Sequence, residues 1–388
     1  MNILVCPDSF KGTLTSFEVS EIISNVLNDY GFNAISLPIG DGGEGTVESI
    51  LKGINGEKIY VKVKNPFGRI IDSYFGLKDN IAYIEVAQSS GLTLLNKKEL
   101  NPWLASTFGF GELIMAAINK KVNKIYLAIG GSATNDFGIG MLQALGIKFY
   151  DENNQEIISR KNEGYGASIL NQIKRYDDTI LKKNIEGIDF ELICDVMIPL
   201  FGEQGTSKIF SPQKGADEKM VINLENSIIY FADIVKKQSG MKTDFPGAGA
   251  AGGLGSSIKV FLNAKITPGI ESIINILNIE EKIKNSDVVI VGEGSMDLQS
   301  AFGKAPFGIA RLAKKLNKKV VAINGRTDES IRESEVGLFD AVYSCFGKDK
   351  PELEFLKKNA KQKLKEVAEL FCNDFLKQVD INNTIYNA

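Results

Sequence analysis

The chain has 388 residues, 44% of them hydrophobic and 24% charged, with a formal net charge of −3 and no histidine. That length suits two domains rather than one core, and the charge leaves no basic footprint for nucleic acid. The absence of histidine excludes Ser-His-Asp and Cys-His nucleophile systems, histidine zinc sites and a histidine general base; proton transfer falls to Asp, Glu, Lys or Tyr.

By the same reasoning a metal, where present, is a hard cation held by oxygen, such as Mg²⁺. No apolar run approaches the ~18 residues needed to span a bilayer, so no membrane partner is expected. The apolar run Ile3 to Val5 is stopped by Pro7 and Asp8, which does not read as a signal peptide. Cys6, Cys194, Cys345 and Cys372 form no CxxC pair, which fits reduced thiols and a cytoplasmic location.

Residues 2–6 (NILVC) read as a buried strand, and Pro7-Asp8-Ser9-Phe10-Lys11-Gly12-Thr13 as the loop at its carboxyl end. Ser16 is expected to cap the following helix, which runs to about Asn28. In open α/β sheets ligands bind beyond strand carboxyl ends, which makes Asp8, Ser9 and Lys11 candidates. Residues 33–38 then form a second strand, followed by the loop Gly40-Asp41-Gly42-Gly43-Glu44-Gly45-Thr46. Its two acids suit a cation or a substrate hydroxyl.

From Lys58 to Val86 the pattern alternates without long helices, which predicts antiparallel or mixed sheet and a domain boundary near residue 64. Residues 124–129 (KIYLAI) predict a buried strand leading into Gly130-Gly131-Ser132-Ala133-Thr134-Asn135-Asp136. A glycine-rich turn followed by a helix start favours an anion, and a plain turn capped by Asn135 or Asp136 accounts for the same residues. Residues 151–185 are polar and weakly periodic, with no assignment beyond surface structure.

Residues 190–196 (FELICDV) predict another buried strand, with Asp195 near its end as an acid that is costly unless paired or functional. Lys214 in Pro212-Gln213-Lys214-Gly215-Ala216 is a candidate phosphate clamp. A long helix over about 217–238 precedes the small-residue run Pro246 to Ser257, in which Gly252 and Gly253 read either as a phosphate-facing loop or as close packing. The last third repeats strand and helix: residues 287–291, then Gly292-Glu293-Gly294-Ser295-Met296-Asp297, then Gly303-Lys304-Ala305-Pro306 opening a helix, a strand over 319–324, another over 338–344, and a closing helix.

Both chain ends are therefore βα-rich and the middle is not. The expected fold is α/β: a Rossmann-like parallel-sheet domain from residues 1–64 and 285–388, interrupted by a mixed α/β domain over 65–284, with the active site in the cleft between them.

The strings PDSFKG, GDGGEGT, GGSATND, PQKGA, PGAGAAGGLG and GEGSMDLQSAFGKAPFGIA, in this order, resemble the bacterial type I glycerate kinases over nearly the whole chain. The resemblance implies transfer of the ATP γ-phosphoryl group to D-glycerate with Mg²⁺, giving 2-phosphoglycerate, in a monomer or homodimer whose partners are these small molecules. Phosphoryl transfer asks the protein for positioning, neutralised phosphate charge and an oriented hydroxyl. On that basis Lys11, Lys214 and Lys304 are assigned as clamps; Asp41, Glu44 and Glu293 as metal or hydroxyl ligands; and Asp195 or Asp297 as the group that orients or deprotonates the acceptor. Gly42, Gly43, Gly130, Gly131, Ser132, Thr134, Gly252 and Gly253 are assigned to backbone or hydroxyl contacts with anions. The chain departs from the family pattern at Gly40, Phe137, Ser211 and Ser295, and in Gly325-Arg326-Thr327-Asp328. Ser295 stands where arginine is usual, which implies the loss of a cation near the phosphates.

A Rossmann oxidoreductase is a weaker reading, since Gly292 to Asp297 lacks the third glycine and a ribose-binding acid. A galactokinase-type phosphate loop at GGLGSS would sit unusually late in the chain. A two-domain binding protein without chemistry leaves the acids and lysines at the loop tips unexplained.

Overall fold

A computed structural model describes residues 1–40, 43, 45–157, 166–297, 305–328, 331, 337–347, 349 and 351–386. Among them the strands are, in chain order, β1 (Asn2–Pro7), β2 (Asn33–Ser36), β3 (Glu57–Lys64), β4 (Ile70–Lys78), β5 (Ile81–Glu85), β6 (Lys124–Ala128), β7 (Lys148–Tyr150) and β8 (Arg175–Asp177). They continue as β9 (Asp189–Ile193), β10 (Lys265–Thr267), β11 (Val288–Gly292), β12 (Ser295–Met296), β13 (Lys319–Asn324), β14 (Arg326–Thr327) and β15 (Ala341–Ser344).

The chain divides into two units. The first comprises Met1–Asp41, Glu48–Ile54 and Gly269–Ala388. Its sheet has the order β15-β13-β11-β1-β2, with every neighbouring pair parallel. Strand β11 is buried along its whole length, and β13 along all but its first residue, as expected of a parallel sheet covered on both faces. From β1 the chain steps one way to β2, and after its return it steps the other way through β11, β13 and β15. The order therefore reverses between β1 and β11, which is where doubly wound sheets bind ligands.

The helix after β1 (Ser16–Asp29) starts on Thr15, not on Ser16 as the sequence suggested. Thr15 accepts the Glu18 N–H at 3.1 Å, and the Glu18 carboxylate accepts the Thr15 N–H at 3.0 Å. This reciprocal box needs an acid three residues on, and Ser16 has Val19 there. The Ser16 hydroxyl instead lies 3.2 Å from that of Ser49.

The second unit, Gly42–Val47 with Asn55–Pro268, carries a sheet of order β10-β9-β6-β5-β4-β3. Strands β10, β9, β6 and β5 are parallel, whereas β3-β4 and β4-β5 are antiparallel. That is the mixed sheet the alternating pattern predicted. Strand β3 sits here because all eight of its residues pair with β4, which moves the first boundary from the expected residue 64 to about 55. At the other end the boundary falls at 269 rather than 285. The helix Gly269–Ile276 belongs to the first unit, where Ile270 packs so closely on Gly308 that a β-carbon there would lie 2.5 Å from it.

The long helix Glu218–Ser239 follows its sequence signals closely. The Asp217 side chain accepts the Met220 N–H at 2.7 Å, and the helix stops at Gly240, which is left-handed with φ 73°. The segment 151–185 holds β8, a 3₁₀ turn and a short helix among its described residues. All four cysteines are free, and no helix among the described residues is long and apolar enough to cross a membrane.

Candidate active site

In the first unit, Pro7 of β1 stands opposite Gly292 of β11, and the Asp8 N–H continues the pairing by donating to the Gly292 carbonyl at 2.8 Å. Asp8 and Glu293 are therefore the next residues at the carboxyl ends of two adjacent parallel strands, about one strand spacing (~4.8 Å) apart along the backbone. Both are buried. The Asp8 carboxylate accepts the Ser9 N–H at 2.6 Å, and the Glu293 N–H donates to the Asn324 side chain at 3.2 Å.

Beyond Asp8 the chain makes a tight turn. The Phe10 and Leu14 backbones bridge, the Thr13 N–H and hydroxyl both reach the Phe10 carbonyl at 2.8 Å, and Gly12 takes φ 83°. This turn presents Lys11 at its tip. Gly294 packs against the turn so tightly that a β-carbon would lie 2.9 Å from Phe10 Cα and 3.1 Å from Lys11 N, which explains glycine there.

These loops enclose a pocket of about 320 Å³ lined by Asp8, Ser9, Lys11, Glu293, Ser295, Asp297 and Arg326, with an apolar side from Phe10, Phe346 and Leu356. Five residues selected from the sequence thus converge: Asp8, Ser9, Lys11, Glu293 and Asp297. Arg326 was not among them. Its guanidinium donates to Ser295 Oγ from both Nε (3.2 Å) and Nη2 (3.0 Å). The cation that Ser295 was expected to remove is present beside it, supplied by another strand.

In the second unit, β6 leads into Gly130 and Gly131, and the Gly131 and Ser90 carbonyls accept from Leu92 and Ala133, which ties the loop to the segment after β5. Asp136 is fully buried and accepts from the N–H groups of Gly138 (3.0 Å) and Gly140 (3.3 Å) and from the N–H and hydroxyl of Thr107 (2.9 and 2.7 Å). Asp136 thus accepts bonds at the starts of two helices, although the N-cap positions themselves are Thr107 and Gly138 rather than Asn135 or Asp136. Phe137, where the resemblance favours glycine, takes a left-handed φ of 54° and places its ring in the core, 5.0 Å from that of Phe231.

Lys214 is buried. It donates to Ser132 Oγ at 3.0 Å and to the Thr134 carbonyl at 2.7 Å. Burial pushes its ammonium down to about 7, against the pull of the Asp136 charge, and burial pushes the Asp136 carboxyl up. Thr134 Oγ1 and Asn135 Oδ1 are buried without a hydrogen-bond partner among the described residues, so hydrogen-bonding capacity is left on this loop.

The small-residue run packs on the same loop. Ala251, Gly252 and Gly253 are all left-handed, the Gly252 carbonyl accepts from the Phe137 N–H at 2.9 Å, and a β-carbon on Gly252 would lie 2.3 Å from the Thr134 carbonyl oxygen. Close packing accounts for Gly252 and Gly253. The two glycine-rich motifs are thus one structural assembly.

Asp195 differs from its expectation. Strand β9 ends at Ile193, so Asp195 lies past the strand and is exposed, and the cost that marked it as an acid inside a buried strand does not arise. Gly43 lies in the turn before Thr46, whose N–H donates to its carbonyl at 3.3 Å. Asp41, Gly42, Glu44 and Lys304 lie outside the described residues. Sequence reasoning also missed Glu85, fully buried at the end of β5, whose carboxylate accepts the N–H groups of Gly45 (2.9 Å) and Val47 (3.2 Å).

A profile of the glycerate kinase family matches residues 3–376. The chain belongs to this glycerate kinase family. It is 39% identical to a glycerate 2-kinase of Escherichia coli K12 over 349 residues, covering 89% of this chain and 90% of that one. It is 38% identical to a glycerate kinase of Halalkalibacterium halodurans, covering 88% and 90%. Among solved structures, a proposed glycerate kinase 2 from Salmonella typhimurium LT2 superposes with a TM-score of 0.85 at 33% identity, covering 98% of this chain and 99% of that chain. The family match spans residues of both units.

Proposed function

We propose that this chain is an ATP-dependent glycerate 2-kinase, moving the γ-phosphoryl group of ATP to the 2-hydroxyl of D-glycerate to give 2-phosphoglycerate and ADP. The observation that carries the reading is the meeting of Asp8, Lys11, Glu293 and Asp297 in one pocket at the switch point of the parallel sheet. The bond formed joins the glycerate oxygen to the γ-phosphorus, and the bond broken joins that phosphorus to the β,γ-bridging oxygen. The hydroxyl proton passes to a carboxylate, for which Asp297, lining the pocket, is better placed than the exposed Asp195. Lys11 at the tip of its turn, and Lys214, which donates to the loop after β6, supply positive charge for phosphate or carboxylate oxygens.

The donor set of the pocket fits Mg²⁺. Asp8 and Glu293 offer hard carboxylate oxygens at neighbouring positions, and Mg²⁺ is commonly held by one or two carboxylates together with substrate phosphates rather than by a full protein cage. Bound there, the ion would neutralise phosphate charge. Purified protein supplied with Mg²⁺-ATP and D-glycerate should release ADP only when glycerate is present, with ³¹P NMR showing 2-phosphoglycerate. ADP release indifferent to glycerate would end the reading, and full activity in excess EDTA would remove the metal from it.

A further inference from the structure

We infer that Arg326 is an oxyanion-binding residue of the β1/β11 pocket, held in place by Ser295. This rests on the kinase reading only for the identity of the anion. Strands β12 and β14 pair in parallel with Ser295 opposite Arg326, and the backbone fixes that register: the Gly325 N–H donates to the Glu293 carbonyl and the Arg326 N–H to the Gly294 carbonyl, both at 3.0 Å. Gly325 has to be glycine for this approach, because a β-carbon would lie 2.5 Å from the Gly294 carbonyl oxygen. The position of Arg326 at the pocket wall is therefore set by main-chain pairing, not by a free surface side chain.

The guanidinium is oriented as well as placed. Its Nε and Nη2 donate to Ser295 Oγ along the side edge of the planar group. That leaves the end edge, Nη1 with the outer N–H of Nη2, as a two-pronged donor. Such a fork matches two oxygens of one carboxylate or one phosphoryl group. Arg326 is half-buried and lines the pocket together with Asp8, Glu293 and Asp297, yet it forms no ion pair among the described residues. A partly desolvated cation that is turned by a neutral hydroxyl, and that has no ion-pair partner among the described residues, is poised for an incoming oxyanion. Both D-glycerate and ATP carry one, and the test separates them.

Equilibrium binding of D-glycerate, of ADP and of inorganic pyrophosphate to the parent, Arg326→Met, Arg326→Lys and Ser295→Ala decides the matter, with circular dichroism to confirm folding of each. Arg326→Met should weaken at least one ligand by about tenfold or more, as loss of a bidentate charged pair does. Loss confined to D-glycerate assigns the carboxylate, and loss confined to ADP and pyrophosphate assigns the phosphoryl group. Arg326→Lys should restore only part of the binding, since a point charge lacks the fork, and Ser295→Ala should weaken the same ligand by a smaller factor. Retention of all three affinities within about twofold in a folded Arg326→Met, with turnover unchanged, would overturn the inference. A parent that binds pyrophosphate through Arg326 but shows no glycerate-dependent ADP release would sink the kinase reading and leave the oxyanion site standing.

Discussion

The ammonium of Lys214 donates to the hydroxyl of Ser132 at 3.0 Å, although 82 residues separate them in the chain. The pair joins the PQKGA and GGSATND motifs into one buried cluster, and it places a titratable cation where the loop after β6 offers hydroxyls and a carbonyl.

Its protonation sets a pH dependence. Burial lowers the Lys214 ammonium from 10.5 to about 7. The folded value lies below the unfolded one, so the unfolded chain binds more protons between these limits and stability should rise as pH climbs from about 7 towards 10.5. The charge itself is lost over the start of that window. With Lys214 as an anion clamp, kcat/KM should fall as pH rises through about 7, and Lys214→Arg, which stays charged, should flatten that limb. A pH–rate profile with the same limb in parent and variant would remove Lys214 from the anion site.

The two candidate bases separate by substitution. Asp297→Asn should lower kcat by about 10²–10⁴, the usual cost of removing a general base. Asp195→Asn, on an exposed position past the end of β9, should stay within about threefold of the parent. Comparable losses in both variants would contradict the assignment of Asp297 alone.

Two glycines with nearly the same dihedral distinguish strain from crowding. Gly187 and Gly252 have φ of 75° and 74°, but a β-carbon at 187 meets nothing within 4 Å, whereas at 252 it meets the Thr134 carbonyl at 2.3 Å. Gly187→Ala should cost about 1 kcal/mol, the conformational term alone. Gly252→Ala should cost clearly more, about 3 kcal/mol or above, because backbone has to move. Denaturant unfolding of the two variants is the check, and equal losses would mean the loop packing is softer than the structure indicates.

Glu85 tests the anchoring of the segment after the GDGGEG loop. Glu85→Ala removes the acceptor for two buried or half-buried N–H groups, at Gly45 and Val47, and should cost about 1–3 kcal/mol. Amide hydrogen exchange at these two residues should accelerate in the variant. Unchanged protection there would show that other contacts hold the segment.

The sequence rules succeeded where the physics is local. Asp217 and Gly240 bracket the long helix because a cap needs only its own first and last turns. That Asp8, Lys11 and Glu293 line one pocket was legible because their loops follow apolar β-branched runs, and parallel strands open their loops at that end. The rule that an acid in an apolar strand is costly was sound but chose the wrong strand end. Asp195 proved exposed past β9, while Glu85, at the last position of IAYIE, is the buried acid and carries the same signal.

Arg326 had no such signal. Its place in the pocket wall follows from the pairing of β12 with β14 and from a hydroxyl 31 residues away. The boundary near residue 64 failed for a related reason, since the alternation of β3 is the same whichever sheet receives it.

By itself, then, the sequence determined the main strands, such as β1, β6, β11 and β13, the ends of the long helix Glu218–Ser239, and which loops carry acids and lysines, because propensity, capping and periodicity act over a few neighbouring residues. Only the tertiary structure decided that β1 lies between β2 and β11, which brings Asp8 and Glu293 to adjacent strand ends across 285 residues of chain, and that Ser295 orients the guanidinium of Arg326. Those relationships depend on strand order and register, which are fixed by burying one face of each element against partners distant in the chain.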